Sequence, residues 1–224
     1  MRYRTSIIIA ALAALLALPG CKLVKNEDLA KAKTEGGAQA GSDAAAFDPD
    51  KMARQMWGTK IVPYLEAKAG PFADVRSLIA ESPDDAGKRF GYREKPEGMP
   101  WTIATRFEGR IVAANTASRA ATVDVDIDGD GVADAVVQIG PVIRGTALRD
   151  GLDFISFNAF TNQIDYAQFA KSLNTLMAQT TLAKLPREDL NGRQISVIGV
   201  FALDKPGDKP LVTPAVATLG DKAS

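Results

Sequence analysis

The chain has no histidine and one cysteine, Cys21, among its 224 residues. Without histidine there is no Ser–His–Asp or Cys–His nucleophilic system, and no histidine-ligated zinc, copper or iron. A single cysteine gives no intrachain disulfide. An excess of one charge is missing too, since 27 basic residues meet 27 acidic ones. A balanced chain carries no electrostatic footprint for nucleic acid. Long hydrophobic runs are also lacking. The apolar stretch Ile7–Leu18 would cover roughly 18 Å as a helix, short of the ~30 Å hydrocarbon core of a bilayer. Any metal would have to be hard and oxygen-bound, which means calcium or magnesium. Carboxylate-pair and lysine chemistry stay open.

What is present begins at the N-terminus. Arg2 and Arg4 precede the apolar stretch, and Leu18-Pro19-Gly20-Cys21 follows it. A charged segment, a short apolar segment and a small residue before a cysteine resemble a bacterial lipoprotein signal peptide over residues 1–20. In such a peptide Cys21 is acylated and becomes the mature N-terminus. A plain secretory signal with a chance cysteine is the alternative, but a lone thiol at the cleavage point is better explained by lipidation than by redox chemistry. Stable anchoring takes two acyl chains, and lipoprotein processing supplies at least that many. Loss of Arg2 and Arg4 leaves a net charge of −2. Lys22 stands where an aspartate would signal inner-membrane retention, which favours the outer membrane over the inner. The expected location is therefore the periplasm, with the protein lipid-anchored to a membrane.

Residues 21–46 are rich in Ala, Lys, Gly and Ser and read as the lipidated cysteine followed by a flexible tether of about 25–30 Å reach. Residues 47–224 read as one globular domain, with a helical part over 47–100 and a barrel over 101–224. Asp48-Pro49 is a helix start, an N-cap acid before proline at N1. Helical spacing continues through Met52, Met56, Trp57, Ile61, Tyr64 and Leu65, with a kink expected at Pro63. Further helices are expected near 72–81 and 84–90. From Trp101 the period changes to two: strands are expected near 103–113, 123–127 and 133–139, then a helix near 166–182, then strands over 193–203 and 211–219. Three strands, a helix and two closing strands is the order of an OB-type barrel. The fold class is thus α+β: N-terminal helices packed on an OB-like five-stranded antiparallel barrel with one inserted helix. Trp57 and Trp101 read as core or helix–barrel contacts.

Two constellations could carry chemistry. Asp126, Asp128, Asp130 and Asp134 occupy positions one, three, five and nine of a calcium loop, with Gly131 at six. Position twelve is Val137, so the loop is not a complete EF-hand, and weak affinity would follow. The competing reading is a β-hairpin turned by Asp128-Gly129 and Asp130-Gly131. The second constellation is Arg144, Thr146, Arg149, Asp150, Asn162 and Gln163, with Phe157 and Phe160 nearby. Arginine forks and amides against aromatic faces suit a small polar ligand such as a carboxylate or a sugar. The competing reading is structural: Arg149 and Asp150 pair, Asn162 and Gln163 satisfy backbone, and the phenylalanines fill the core. No catalytic residue is assigned.

The helix from Trp57 to Pro63, the run Gly-Pro-Val-Ile-Arg-Gly-Thr-Ala-Leu-Arg-Asp at 140–150, Phe-Thr-Asn-Gln at 160–163 and Thr213-Pro214 together resemble a family of predicted periplasmic lipoproteins of unknown function. Genes of that family often lie near sugar ABC-transporter genes, so the resemblance implies an accessory role in sugar uptake, with a transporter component as partner. The leading expectation is a non-catalytic, lipid-anchored protein that assists transport or binds a small polar ligand. The alternatives are a purely structural envelope lipoprotein and, further off, a carboxylate-based hydrolase. Replacing the acylated residue, Cys21→Ser, is expected to leave an unlipidated precursor that fractionates away from membranes. Normal membrane anchoring of that variant would refute the lipid assignment.

Overall fold

The computed structural model describes residues 47–95 and 98–222. The signal peptide, Cys21 and the tether lie outside the described residues. Helix α1, Pro49–Met56, opens as the sequence asks: the Asp48 carboxylate accepts the Lys51 N–H at 2.9 Å, and Pro49 sits at the first helical position. The expected kink at Pro63 takes a different form. A π-helical turn, Trp57–Ile61, separates α1 from α2, Val62–Lys68. The widened turn ends two residues before Pro63, where a regular helix would lose a bond. Helices α3, Phe72–Glu81, and α4, Pro83–Phe90, follow. The two-residue strands β1, Gly70–Pro71, and β2, Gly91–Tyr92, flank this helical pair.

The barrel is built from β3, Trp101–Asn115; β4, Thr122–Asp126; β5, Ala135–Gln138; β6, Arg193–Leu203; and β7, Leu211–Lys222. Between β5 and β6 come the short helix α5, Ala147–Asp150, a 3-10 turn at Phe157–Ala159 and the long helix α6, Gln163–Thr180. The strand order β3-β4-β5-β7-β6 closes on itself through β3–β6 pairing from Trp101↔Leu203 to Arg110↔Gln194. This is an α+β, OB-like fold, with one departure from the all-antiparallel expectation. β5 and β7 run parallel and pair only at Val136↔Leu211 and Val137↔Val212. The seam is short for a chemical reason. The Val136 N–H donates to the Pro210 carbonyl, and a parallel ladder continued from that bond would ask residue 214 to donate to Gln138. Residue 214 is proline and has no N–H.

Two apolar cores share the sheet. Inside the ring, Ile103, Phe107, Ile111, Val123, Val125, Val137, Ile195, Val197 and Phe201 are buried beneath Phe72, Val75 and Ile79 of α3 and Phe90 of α4. On the opposite face of β3, β6 and β7, small residues such as Ala104, Val200 and Ala215 receive Ile61 from the π-helical turn and Leu65, Leu148, Phe169, Leu173 and Met177 from α2, α5 and α6. Trp101 joins α4 to the barrel. Its indole N–H donates to Asp84 at 2.8 Å, the Arg93 guanidinium lies 4.1 Å from the ring centroid, and Gly87 packs against the ring, where a Cβ would meet ring atoms. Trp57 packs at the edge of the second core. Among the described residues no helix is long and apolar enough to cross a membrane.

β3 bends across the ring and shifts register between Ile111 and Ala113. Gly109 lies near this bend, and a Cβ there would come within 2.5 Å of the Asp126 carbonyl oxygen. The Asp126 backbone and the buried Val125 side chain leave little room to yield. Gly109→Ala is therefore expected to lower stability by about 1–3 kcal/mol, read as a lower denaturation midpoint in urea.

Candidate functional site

The residues of the second constellation come from three pieces of structure: the loop 140–146, helix α5, and the start of α6. What places the loop is the end of the β5–β7 seam. Gln138, 2% exposed, continues the pairing with its side chain where backbone pairing stops. Its amide nitrogen donates to the Thr213 hydroxyl at 2.8 Å and to the Arg144 carbonyl at 3.1 Å, and its amide oxygen accepts the Arg144 N–H at 2.8 Å. On the other side of the loop, the Asn174 amide of α6 donates to the Gly145 carbonyl at 2.9 Å. Gly145 itself has φ +80°, the left-handed region open to glycine.

Held this way, the loop forms one wall of a cleft of about 430 Å³ at the end of the barrel. That volume lies within the range of small-molecule sites. The opposite wall is the β6–β7 connection, with Asp204, Lys205, Asp208 and Lys209, while Thr102, Gln138 and Thr213 line its polar interior beside Phe201 and Leu203. Of the six expected ligand residues, Arg144, Thr146 and Asp150 line this cleft.

The other three do not. Arg149 is buried, its fork gripping Asp150 through Nε and Nη2 while Nη1 donates to the Tyr166 carbonyl at 3.2 Å. Its guanidinium lies 3.6 Å over the Tyr166 ring. The Thr146 hydroxyl donates to the other oxygen of Asp150. Arg149 and Asp150 thus form a part-buried pair fastening α5 to α6. Asn162 is the N-cap of α6: its side-chain oxygen accepts the Asp165 N–H at 2.9 Å. Gln163 sits on the exposed outer surface of α6 with Ile164 and Lys171. Asn162-Gln163-Ile164-Asp165 has the spacing of a capping box with asparagine in the lead, a signal that identifies the cap from sequence.

Phe157 and Phe160 pack edge-on against Tyr166, with centroids 5.5 and 5.2 Å away, and Phe160 also meets Phe169 at 5.6 Å. Burial pushes the Tyr166 phenol up to about 12, with Asp150 and Glu94 adding to the rise and Arg149 opposing it. Glu94 accepts from the Ser156 hydroxyl and the Phe157 N–H. Burial alone would raise its carboxyl, but these donors and Tyr166 outweigh it and hold it below the usual range. The aromatic part of the constellation is therefore packing. Gln138 and Thr213 escaped the sequence reading of this site, although a lone amide ending the apolar run Ala135-Val136-Val137 is a visible sign.

The acidic loop between β4 and β5 has its own geometry. Asp126, Asp128 and Asp130 each bring an oxygen within 4.8 Å of the others. Asp134 is not among them. Its carboxylate accepts the Ile127 and Asp128 N–H groups at 2.8 and 3.3 Å and pairs with Arg76, which also reaches Asp128 at 3.3 Å. β5 begins at Ala135, two residues after the expected start. Asp126 is buried and accepts from Gly129 and Gly131 at 2.7 and 3.0 Å, with Arg110 at 3.3 Å. Burial would raise its carboxyl, but the two N–H donors and Arg110 win and hold it below the usual range. Three converging carboxylates suit a hard cation, which takes six to eight oxygens. Arg76 and Arg110 already supply counter-charge here.

A family model described as Predicted periplasmic lipoprotein (DUF2291) matches residues 11–218. No curated protein matches. Among solved structures, the crystal structure of an OB-fold protein from Thermotoga maritima MSB8 is similar, with 20% sequence identity and a TM-score of 0.62 over 78% of this chain and 99% of that one. At that identity the likeness speaks for the fold alone.

The cleft and the cap separate by mutation. Gln138→Leu strands the backbone of Arg144 and the buried Thr213 hydroxyl, at a cost of roughly 1–3 kcal/mol, and it should also loosen the 140–146 loop. Asn162→Ala should cost about 1 kcal/mol through the lost cap and leave the loop intact. Hydrogen exchange of the Arg144 and Gly145 amides distinguishes them: faster only in Gln138→Leu.

Proposed function

The chain belongs to the family of predicted periplasmic lipoproteins, and from that premise we propose that it serves as a non-catalytic accessory protein of sugar uptake. In this reading the barrel-end cleft holds a small polar ligand, and a transporter component is the partner. The observation that supports it is the cleft itself, which combines a polar interior of Thr102, Gln138 and Thr213 with an apolar side at Phe201 and Leu203, and with Arg144 on a loop pinned from two directions. Pinning matters because a preorganised wall spends less binding energy on ordering itself.

Several features favour binding over catalysis. The mature chain offers no histidine and no free thiol. The cleft carboxylate Asp150 accepts from Arg149 through one oxygen and from Thr146 through the other, so its charge is engaged in structural bonds. Lys22 after the lipidated cysteine supports placement on the outer membrane, and the 21–46 tether would carry the 47–224 domain out to a partner.

Cross-linking the lipidated protein in native membranes and identifying captured proteins by mass spectrometry tests this. The expected result is recovery of a sugar-transporter permease or its solute-binding subunit with wild type, and reduced recovery with Arg144→Ala. Equal recovery with both forms would move the contact away from the cleft. Recovery of neither component by wild type would leave a purely structural envelope protein.

A further inference from the structure

We infer that the ligand of this cleft is an acidic sugar, a polyhydroxyl molecule bearing a carboxylate or phosphate, with Arg144 as the residue that holds its anion. This rests on the reading of the cleft as a binding site and deepens it by naming the ligand class.

The inference comes from counting which polar groups around the cleft are already committed. Asp150 lines it, but both of its oxygens are taken by Thr146 and Arg149. Gln138 spends its amide on Thr213 and on both backbone groups of Arg144. Arg93 pairs with Asp84 at 3.4 Å and stacks on Trp101. On the β6–β7 connection, Lys205 and Lys209 alternate with Asp204 and Asp208, all four exposed, so that rim is balanced in charge.

The guanidinium of Arg144 is left over. Its backbone is fixed at two points by Gln138, yet its side chain makes no hydrogen bond or ion pair among the described residues. The other carboxylates lining the cleft, Asp204 and Asp208, are matched in number by Lys205 and Lys209, so Arg144 is the cation in excess. A second uncommitted donor lies deeper. Thr102 is 4% exposed and lines the cleft, and its hydroxyl makes no hydrogen bond among the described residues.

An unanswered guanidinium on a pinned backbone and a nearly buried threonine hydroxyl, both lining one cleft, present donors that lack acceptors. Guanidinium forks match the planar oxygens of carboxylate and phosphate. Thr102 asks for an oxygen further in, and Phe201 and Leu203 offer an apolar surface for the C–H face of a sugar ring. A neutral sugar would fill the space and leave Arg144 unpaired. An anion without hydroxyls would pair Arg144 and leave Thr102 dry. The acidic sugar answers both.

The test is calorimetric titration of the full lipoprotein in a non-ionic detergent at low salt, with glucuronate, glucose 6-phosphate and glucose as probes. The acidic probes are expected to bind about tenfold or more tightly than glucose, the scale of one charge-assisted bond, and to weaken as salt is raised. Arg144→Gln, at an exposed position where folding is not at risk, should bring the acidic probes down to the level of glucose. Thr102→Val should weaken all three probes and keep the preference for acid. Glucose binding as tightly as the acids, or an undiminished preference in Arg144→Gln, would overturn the acidic-sugar inference while the cleft remains a sugar site. Binding of none of the probes would also overturn it, and the fate of the cleft reading would then be decided by membrane capture.

Discussion

One amide side chain determines where this barrel opens. Backbone pairing between β5 and β7 ends at Val137, because the next donor the ladder needs would come from Pro214. Gln138 takes over at that point, bonding sideways to Thr213 and outward to both polar groups of the Arg144 peptide. The seam is thereby sealed for the interior, yet the two chains beyond it are free to part. The 140–146 loop leaves in one direction and the β6–β7 connection approaches from another, and the space between them is the cleft. A side chain in that role must be buried, able to donate twice and accept once, and short enough to span one strand spacing. Glutamine meets all three demands, and a leucine of similar volume meets none of the polar ones.

The rest of the molecule keeps this arrangement rigid. Because β3, β6 and β7 are covered on both faces, the ring has a filled interior and an outer coat of helices, and neither layer can shift alone. The small residues Ala104 and Ala215 let α2 and α6 approach the sheet closely. Helix α6 then reaches back through Asn174 to the same loop that Gln138 holds. The Arg149–Asp150 pair and the aromatic stack around Tyr166 lock α5 to α6 with part-buried charge fully answered by bonds. That is the condition under which such a pair is tolerated in a protein interior.

Much of this is legible in the chain, for local reasons. Asp48-Pro49 marks a helix start because capping depends on three or four consecutive residues. The alternation through Ile103, Phe107 and Ile111 marks β3, and the Asp-Gly pairs mark the tip between β4 and β5. The order of strands and helix identifies the OB-like topology. What escapes a linear reading depends on partners far apart. Gln138 meets Thr213 across 75 positions, and the parallel sense of the seam follows from how the ring closes rather than from any residue within β5. The Arg149 side chain turns inward because Asp150 and Tyr166 await it, whereas Arg144, five residues earlier with the same side chain, faces the cleft. Composition is identical for the two, and only the fold tells them apart.

Trp101 has a consequence of an optical kind. Its indole lies against Gly87 and under the guanidinium of Arg93, and Arg93 also lines the cleft. Trp57, the other indole, packs at the edge of the separate second core. The protein therefore contains two emitters in different surroundings, one of them a single side chain away from the cleft. Occupation of the cleft that moves Arg93 would change the quenching of Trp101 and leave Trp57 as an internal reference, so the native chain carries its own fluorescent gauge without any label.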